Sequence, residues 1–444
     1  MIRPWLGMLM KGRALASAAS LVVLPASIRP APWQADGCRR YRLMRDHLSP
    51  VPKSLLANVV QMPEVIEGRR YFVEGKFSIA IQHLARADEI SKASGMAELS
   101  LLTSETLAYL HALSGDFSKE ASYRAQCVQA SSTLQANTPG IATDLTLFDC
   151  LHNWALSDIK CGLLNTATLA HAREVARRVG KGGKGLVRTC DMTEALAAID
   201  GSHSSVSVEQ VPAMVSALTD AVTDECGGEA ALTGSAYLIL AVALHRLGQR
   251  ASGEGMEAEA ACQKAIEMVD AACIEAEAYV KVGALLFLSR MHLEREQSDL
   301  ADKAASEALA VAEKALLQDA VDAALYQLAT VRMSVGDFVV AEGLFRTCTA
   351  KLTQAPQTRS PTTWEMVQVE KASEQHSAML EGMSFNNHSR QPEAVQIREK
   401  LKKLQDAFPV TAAGATRLRE SALDLWYVRA FSPNLPTLLQ DSDY

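Results

Sequence analysis

Residues Gly336–Leu352, GDFVVAEGLFRTCTAKL, decide the fold predicted for this chain of 444 residues. The glycine predicts the end of one helix in a tight turn, and Phe338 predicts the start of the next helix. Ala341, Phe345 and Cys348 then follow at four- and three-residue steps, so they share one helix face. Because alanine favours helix and lets helix axes approach, the segment predicts two closely packed antiparallel helices.

The pattern recurs along the chain. Gly75–Ile90, GKFSIAIQHLARADEI, repeats the glycine, the aromatic residue and the stripe of small residues, and Gly115 predicts a third glycine turn. Counted from the first residue of each stripe, successive copies are 41, 47, 45, 45, 43, 40 and 53 residues apart. The clear stripes are Ala80/Leu84/Ala87, Ala121/Ala125/Val128, Ala258/Cys262/Ala265, Ala301/Ala305/Ala308 and Ala341/Phe345/Cys348, and the weaker ones centre on Thr168/Ala172/Val175, Ala213/Ala217 and Ala394/Arg398/Leu401.

These stripes resemble the second helix of the tetratricopeptide repeat family, which carries A-x3-F. Leu285/Leu288/Ser289 and Leu325/Leu328/Ala329 stand where the family's first helix has its large–large–small stripe. The steps exceed the family's usual period of about 34 residues. The longer period is similar to that of kinesin-light-chain-like repeats, and to that of mitochondrial tetratricopeptide proteins that support respiratory complex III.

The resemblance implies an all-α chain folded as a right-handed α-solenoid. We expect seven to eight degenerate helix pairs over residues 55–408, followed in 409–444 by a capping helix at about Thr416–Phe431 and an extended tail. The alternative is a non-repetitive helical bundle, because alanine-rich amphipathic helices can mimic these spacings.

Composition fits a folded helical protein that does not favour direct contact with nucleic acid. Hydrophobic residues make up 48% of the chain, which is enough for a large core, and only 5% are aromatic. A sheet-rich core would contain more aromatic and β-branched residues. The formal net charge is −7, whereas phosphate binding requires a basic face.

The N-terminal segment, residues 1–50, has the composition of a targeting sequence. Arg3, Lys11, Arg13 and Arg29 are accompanied by serine, alanine and leucine, and the first acidic residue is Asp36. This profile predicts a mitochondrial presequence. A secretory signal with its apolar core at 14–26 and an uncleaved cytosolic N-terminus are the alternatives. No later segment predicts a membrane span, so the mature protein is expected to be soluble or peripheral to the inner membrane.

The nine cysteines contain no C-x-x-C pair, so zinc ribbons and thioredoxin-type centres have no support. Cys150/Cys161 and Cys262/Cys273 are each 11 residues apart, which places both members of a pair on one helix face. Along a helix that separation is about 16 Å, too far for a disulfide. We expect reduced cysteines that act as small core residues.

Four local signals mark breaks between helices. Val179–Val187, VGKGGKGLV, predicts a flexible loop and lacks the serine or threonine of a phosphate-binding loop. Residues 200–210 predict a polar linker before a helix near Pro212, and Gly248 predicts a helix end before a loop at 250–255. Ser360-Pro361 predicts an N-cap followed by a proline at the first helical position.

Motifs of catalysis are missing from the sequence. The ten histidines include no H-E-x-x-H motif and no pair at i,i+4, and no G-x-S-x-G occurs. We therefore expect no enzyme activity, no cofactor and no metal site, with an enzyme of unrecognised type as the alternative.

A solenoid presents a groove lined by the first helix of each pair, and exposed groove residues select a protein partner. By that register, Arg69, Arg246, Arg290 and Tyr326 are the candidate partner-binding residues, and we expect the arginines to meet an acidic peptide or a terminal carboxylate. The predicted function is a mitochondrial scaffold or adaptor that binds protein partners through this groove, and the resemblance implies an assembly or quality-control role for a respiratory complex. The alternative is an organellar RNA-associated repeat protein, which would carry a continuous basic stripe in the groove.

Overall fold

The computed structural model describes residues 51–180, 183–200, 207–220, 230–248, 257–272, 278–315, 317–354, 361–385, 388–408 and 436–439. In these ranges the chain is all-α, apart from one two-residue hairpin in which β1 (Ser384–Phe385) pairs antiparallel with β2 (His388–Ser389). The helices are α1 (Lys53–Val60), α2 (Pro63–Val73), α3 (Phe77–Ser94), α4 (Ala97–Leu113), α5 (Phe117–Asn137), α6 (Ile141–Lys160), α7 (Thr166–Arg178), α8 (Gly183–Asp200), α9 (Val211–Asp220), α10 (Ala230–Gly248), α11 (Ala258–Ala272), α12 (Ala278–Glu294), α13 (Ser298–Lys314), α14 (Gln318–Ser334), α15 (Phe338–Gln354), α16 (Thr363–Gly382) and α17 (Gln391–Ala407).

Helices pack in the order in which they follow along the chain. From α2 to α17, each helix contacts the next one. The even-numbered helices α6, α8, α10, α12, α14 and α16 also contact one another in succession, and we call these six helices the even row. The hydrophobic core forms several clusters. The largest runs from Leu156 on α6 to Trp364 on α16, and the smaller ones draw on helices that are close in sequence. The architecture is repeat-like, with eight consecutive helix pairs from α2/α3 to α16/α17.

Glycine turns set the boundary between the two helices of several pairs. Gly75, Gly115 and Gly336 have φ values of 72°, 75° and 80°, a left-handed conformation that glycine adopts without steric cost. Each is followed two residues later by the phenylalanine that begins the next helix. The sequence prediction of these three turns is confirmed.

All eight predicted stripes begin on odd-numbered helices, one stripe on each of α3, α5, α7, α9, α11, α13, α15 and α17. On α13, Ala301, Ala305 and Ala308 are fully buried, and so are Ala341 and Phe345 on α15. An alanine side chain at such contacts leaves room for the neighbouring backbone. These small residues are therefore the contact surface of α13 and α15 with their neighbours. In two of the weaker stripes the prediction is wrong at one position each, because Ala213 on α9 and Arg398 on α17 are exposed.

The predicted register is wrong on α5. Ala121, Ala125 and Val128 are only half-buried, while Glu120, Arg124 and Cys127 are buried. Glu120 accepts hydrogen bonds from Ser157 Oγ (2.9 Å) and Lys160 Nζ (2.9 Å) of α6. A carboxylate paired with α6 thus lies on the buried face of α5, next to the face that the pattern of small residues predicted to be buried.

The predicted flexible loop at Val179–Val187 is also wrong in its second half, because α8 begins at Gly183. A Cβ atom at Gly183 would collide with the carbonyl oxygen of Ala176 on α7. Glycine is needed here for a close approach between two helices, and not only for flexibility.

Two further expectations require correction at helix and chain ends. The N-cap of α16 is Thr362, not Ser360, because Thr362 and Glu365 form a reciprocal capping box. In the predicted extended tail, Thr437–Leu439 forms a 3-10 turn whose leucines are buried. The predicted capping helix at 416–431 and the targeting segment at 1–50 lie outside the described residues.

The other predicted ends agree with the structure where it describes them. α10 ends at Gly248, and α9 begins at Val211 after the 3-10 turn Val208–Gln210. The loop at 250–255 and residues 201–206 of the linker lie outside the described ranges. Within those ranges no helix is long and apolar enough to cross a membrane.

A larger side chain at a buried alanine tests the close packing between helices. Ala308→Leu should lower the free energy of unfolding by about 1–3 kcal/mol, because Ala308 is fully buried between helices. Ala310→Leu, at an exposed position of the same helix, should change it by less than about 0.5 kcal/mol. Denaturant unfolding of both variants measures the difference, and equal losses would contradict the packing described.

A pair of glycine substitutions tests the contact between α7 and α8. Gly183→Ala should destabilise the protein by about 1–3 kcal/mol because of the collision with Ala176. Gly343→Ala, in α15 with nothing within 4 Å of the added Cβ, should stabilise it by about 0.5–1 kcal/mol. Thermal and denaturant unfolding give both values. A stabilising Gly183→Ala would mean that this glycine belongs to a loop.

Candidate functional site

Three consecutive helices of the even row line a polar pocket. α12, α14 and α16 surround a volume of about 300 Å³. Its lining residues are Leu286 and Arg290 from α12, Ala323, Tyr326 and Gln327 from α14, and Trp364, Gln368, Lys371, Glu374 and Gln375 from α16.

The pocket has a positive balance of charge. Arg290 and Lys371 are its two cations and are half-buried, whereas the one carboxylate, Glu374, is exposed. The whole chain has a net charge of −7, so this local excess runs against the overall balance. Partly buried cations attract a carboxylate more strongly than exposed ones, because less water screens the charge.

Aromatic packing fixes the Tyr326 side chain. Its ring lies 6.3 Å from the ring of Phe345 on α15, and Phe345 stacks on His376 of α16 at 5.9 Å. Phe345 is fully buried, so both neighbours rest on a rigid support. Burial also lowers the pKa of His376, which keeps its imidazole neutral near pH 7.

A chain of buried hydrogen bonds connects two of the helices that line the pocket with α13. Gln327 Nε2 donates to Ser289 Oγ at 3.2 Å, and Ser289 Oγ donates to the carbonyl oxygen of Ala301 at 2.8 Å. The chain connects α14, α12 and α13. Ser289 is fully buried, so these bonds are shielded from competing water.

The wall of the pocket contains a buried acceptor. The side-chain oxygen of Gln368, a residue that lines the pocket, is buried and has no hydrogen-bond partner among the described residues. Buried acceptors are nearly always paired in folded proteins.

An apolar pocket of about 390 Å³ adjoins the polar one. Met333, Phe338, Met379 and Met383 supply most of its wall, and Gln375 lines both pockets. Methionine side chains are flexible and polarisable, so they adapt to different apolar side chains. Gln375 is the lining residue that the two pockets share.

The four candidate residues predicted from the sequence lie on even-numbered helices, and the structure brings two of them together. Arg290 and Tyr326 line the polar pocket. Arg69, on α2, and Arg246, on α10, are half-buried and do not line it. All four residues make interactions of their own within the fold.

Sequence reasoning missed the contribution of α16. Trp364, Gln368, Lys371 and Gln375 follow at steps of four, three and four residues, so they form one stripe on that helix. The stripe was visible in the sequence. The repeat pattern does not point to this stripe, because α16 carries no recognisable first-helix motif.

The thiols are poor nucleophiles in this fold. Burial raises the pKa of Cys150 and of Cys190 to about 12, and it raises the pKa of Cys127 and Cys262 as well. All four therefore stay protonated near neutral pH. They are free and buried, as is Cys348, which confirms the expectation of core cysteines at these positions.

Cys161 departs from that expectation, because it follows the last residue of α6 and is exposed. Cys273 lies outside the described ranges. Among the described residues, no group of three or more histidine, cysteine or acidic side chains could hold a metal ion.

Comparison with known proteins adds no relative. No protein-family model matches the chain. A search of curated proteins gives no significant match.

Substitution of Ser289 tests the buried hydrogen-bond chain beside the pocket. Ser289→Ala should lower the free energy of unfolding by about 1–3 kcal/mol, because it leaves the buried amide of Gln327 without this acceptor. In the double variant with Gln327→Ala, the loss in the free energy of unfolding should differ from the sum of the two single losses by about 0.5–3 kcal/mol. A double-mutant cycle from denaturant unfolding measures the coupling. Strict additivity would show that the two side chains do not depend on each other.

Proposed function

We propose that this chain is a protein-binding scaffold whose ligand is a peptide segment bearing a carboxylate. The observation that carries the proposal is the pocket between α12, α14 and α16. It combines two half-buried cations, a supported tyrosine and a buried acceptor, next to a methionine-rich apolar pocket. Pockets that recognise peptides commonly combine an apolar anchor site with a few polar groups that fix orientation.

The scaffold proposed is a right-handed, tetratricopeptide-like α-solenoid of eight helix pairs. Its support is the succession of contacts along the chain and along the even row. In such an array the first helices line the groove. The even-numbered helices would then be these first helices, so the pocket would open into the groove.

The mixed charges of the even-numbered helices favour a protein ligand over RNA. α4 contains no lysine or arginine, and Lys371 shares its pocket with Glu374. RNA binding depends on a continuous series of cations that replace counterions along the phosphate backbone. A carboxylate needs only one or two cations held at a fixed separation.

The cellular role proposed is that of a mitochondrial assembly or quality-control factor for a respiratory complex, acting from a soluble or inner-membrane-peripheral position. Its support is the basic, acid-free segment before Asp36 together with the resemblance to long-period tetratricopeptide repeats.

Peptide binding tests the proposed ligand chemistry. The probe is a library of short synthetic peptides with a free terminal carboxylate, compared with the same sequences as terminal amides. Carboxylate binders should lose roughly tenfold or more in affinity with Arg290→Ala or Lys371→Ala, since each removes a charged hydrogen-bond donor. Arg86→Ala, at an exposed position of α3, is the matched control and should leave affinity unchanged.

Two results would refute that chemistry. One is equal binding of the acid and amide forms, and the other is an equal effect of Arg86→Ala and Arg290→Ala. Affinity should also fall as salt rises, because the partly exposed cations are screened.

Affinity purification of the tagged chain from isolated mitochondria tests the cellular role. We expect respiratory subunits in the wild-type sample and their depletion with Arg290→Ala and Tyr326→Ala. Recovery of ribosomal proteins instead would favour the RNA-associated alternative, and partners that are insensitive to both variants would place the interaction elsewhere.

A further inference from the structure

The C-terminal end of the chain is seated on its first repeats. The 3-10 turn Thr437–Leu439 contacts α2 and α4, two even-numbered helices at the opposite end of the array from the candidate pocket. Pro436 is buried, Leu438 is fully buried and Leu439 is 3% exposed. These two leucines belong to the same hydrophobic cluster as Val65 and Phe72 of α2 and Leu102 and Leu110 of α4.

The burial pattern of α4 shows the effect of this contact. From Leu99 to His111 no residue of α4 is exposed, although only α3, α5 and the C-terminal turn are its principal neighbours within the described ranges. On α14, in contrast, Tyr326 and much of the same helix remain half-buried beside the open pocket. The C-terminal turn therefore covers on α4 the kind of surface that α14 leaves accessible.

The covered surface selects a short apolar segment in a turn conformation. Leu439 N donates to Pro436 O at 2.8 Å, so the turn satisfies part of its own backbone and presents both leucines to the helices. The two leucines fill space between α2 and α4. We call the surface of α2 and α4 beneath this turn the tail site.

The chain is long enough to reach the tail site from its own last helix. Residues 408–435 connect α17 to the turn, and at 3.3 Å per residue they can span at most roughly 90 Å. Eight even-numbered helices placed 8–10 Å apart extend over roughly 60–70 Å. The connection within one molecule is therefore geometrically allowed.

We infer that the tail site is a second peptide-binding site, filled in cis by Pro436–Leu439, and that a partner segment of the form Pro-x-Leu-Leu binds it in trans by displacing the tail. This site is separate from the carboxylate pocket and does not depend on it. A tail bound in cis competes at an effective concentration on the order of 1 mM, so only a well-matched partner displaces it.

Fluorescence anisotropy with a labelled peptide of residues 432–444, SPNLPTLLQDSDY, tests the inference. The full-length Leu438→Ser/Leu439→Ser variant, whose tail cannot fill the site, should bind the peptide at least tenfold more tightly than the wild-type chain does. The control is the same peptide with serine at both leucine positions, which should bind neither chain. Equal binding of the SPNLPTLLQDSDY peptide to both folded chains, or binding to neither, would overturn the proposal.

Further measurements distinguish a loss of binding from a loss of folding, and a tail bound in cis from a tail bound to a second copy. Circular dichroism checks the fold of the double variant, and Leu438→Ala is the milder second variant, for which an intermediate affinity is expected. If both variants lose their helical content, the tail is part of the folding core and not a displaceable ligand, which overturns the proposal. Sedimentation of the wild-type chain should show a monomer; a dimer that disappears in the double variant would place the tail on a second copy and refute the contact in cis.

Discussion

The close approach of helices at buried alanines is the constraint on which the rest of this structure depends. Ala80 on α3, Ala301 and Ala308 on α13 and Ala341 on α15 are fully buried at such contacts. With a methyl group as the only side chain, each odd-numbered helix can lie against two neighbours at once. This spacing brings the even-numbered helices within reach of one another, and the even row of α6 to α16 results.

The two surfaces proposed to bind partners both lie on even-numbered helices. At one end, α12, α14 and α16 form a pocket with two cations beside a methionine-lined pocket. At the other end, α2 and α4 are covered by the chain's own C-terminal turn. The same type of helix face is therefore open at one end and occupied at the other. In the account proposed here, both ends bind extended or turn-forming segments, but with different chemistry: a carboxylate at the first and two leucines at the second.

The sequence could predict the fold where local chemistry determines it. Gly75, Gly115 and Gly336 have a left-handed conformation, and the phenylalanine two residues later begins the next helix, so these turns can be predicted without tertiary information. The stripes on α13 and α15 are equally local, since burial follows the alanine spacing. On α5 the same spacing predicts the wrong face. Glu120 can be buried there because Ser157 and Lys160, which are 37 and 40 residues away in the sequence, donate hydrogen bonds to it. Gly183 was predicted to lie in a loop for a similar reason, because its close approach to Ala176 depends on how α7 and α8 pack against each other.

The candidate site was predictable only in part for the same physical reason. Arg290 and Tyr326 lie on helices whose repeat stripes were readable, whereas the α16 stripe from Trp364 to Gln375 becomes meaningful only when α16 is known to face α14. Docking of Leu438 and Leu439 against helices more than 300 residues earlier leaves no local signal in the sequence.

Native-state hydrogen exchange along the helices, measured at increasing but sub-denaturing denaturant, tests the central claim most directly. In an array stabilised by contacts between neighbours, groups of adjacent helices open independently. We therefore expect the amides of α2–α4, of α8–α13 and of α15–α17, which belong to different hydrophobic clusters, to show different opening free energies. One common opening free energy for all seventeen helices would contradict the account, because it would mean that they share a single cooperative core.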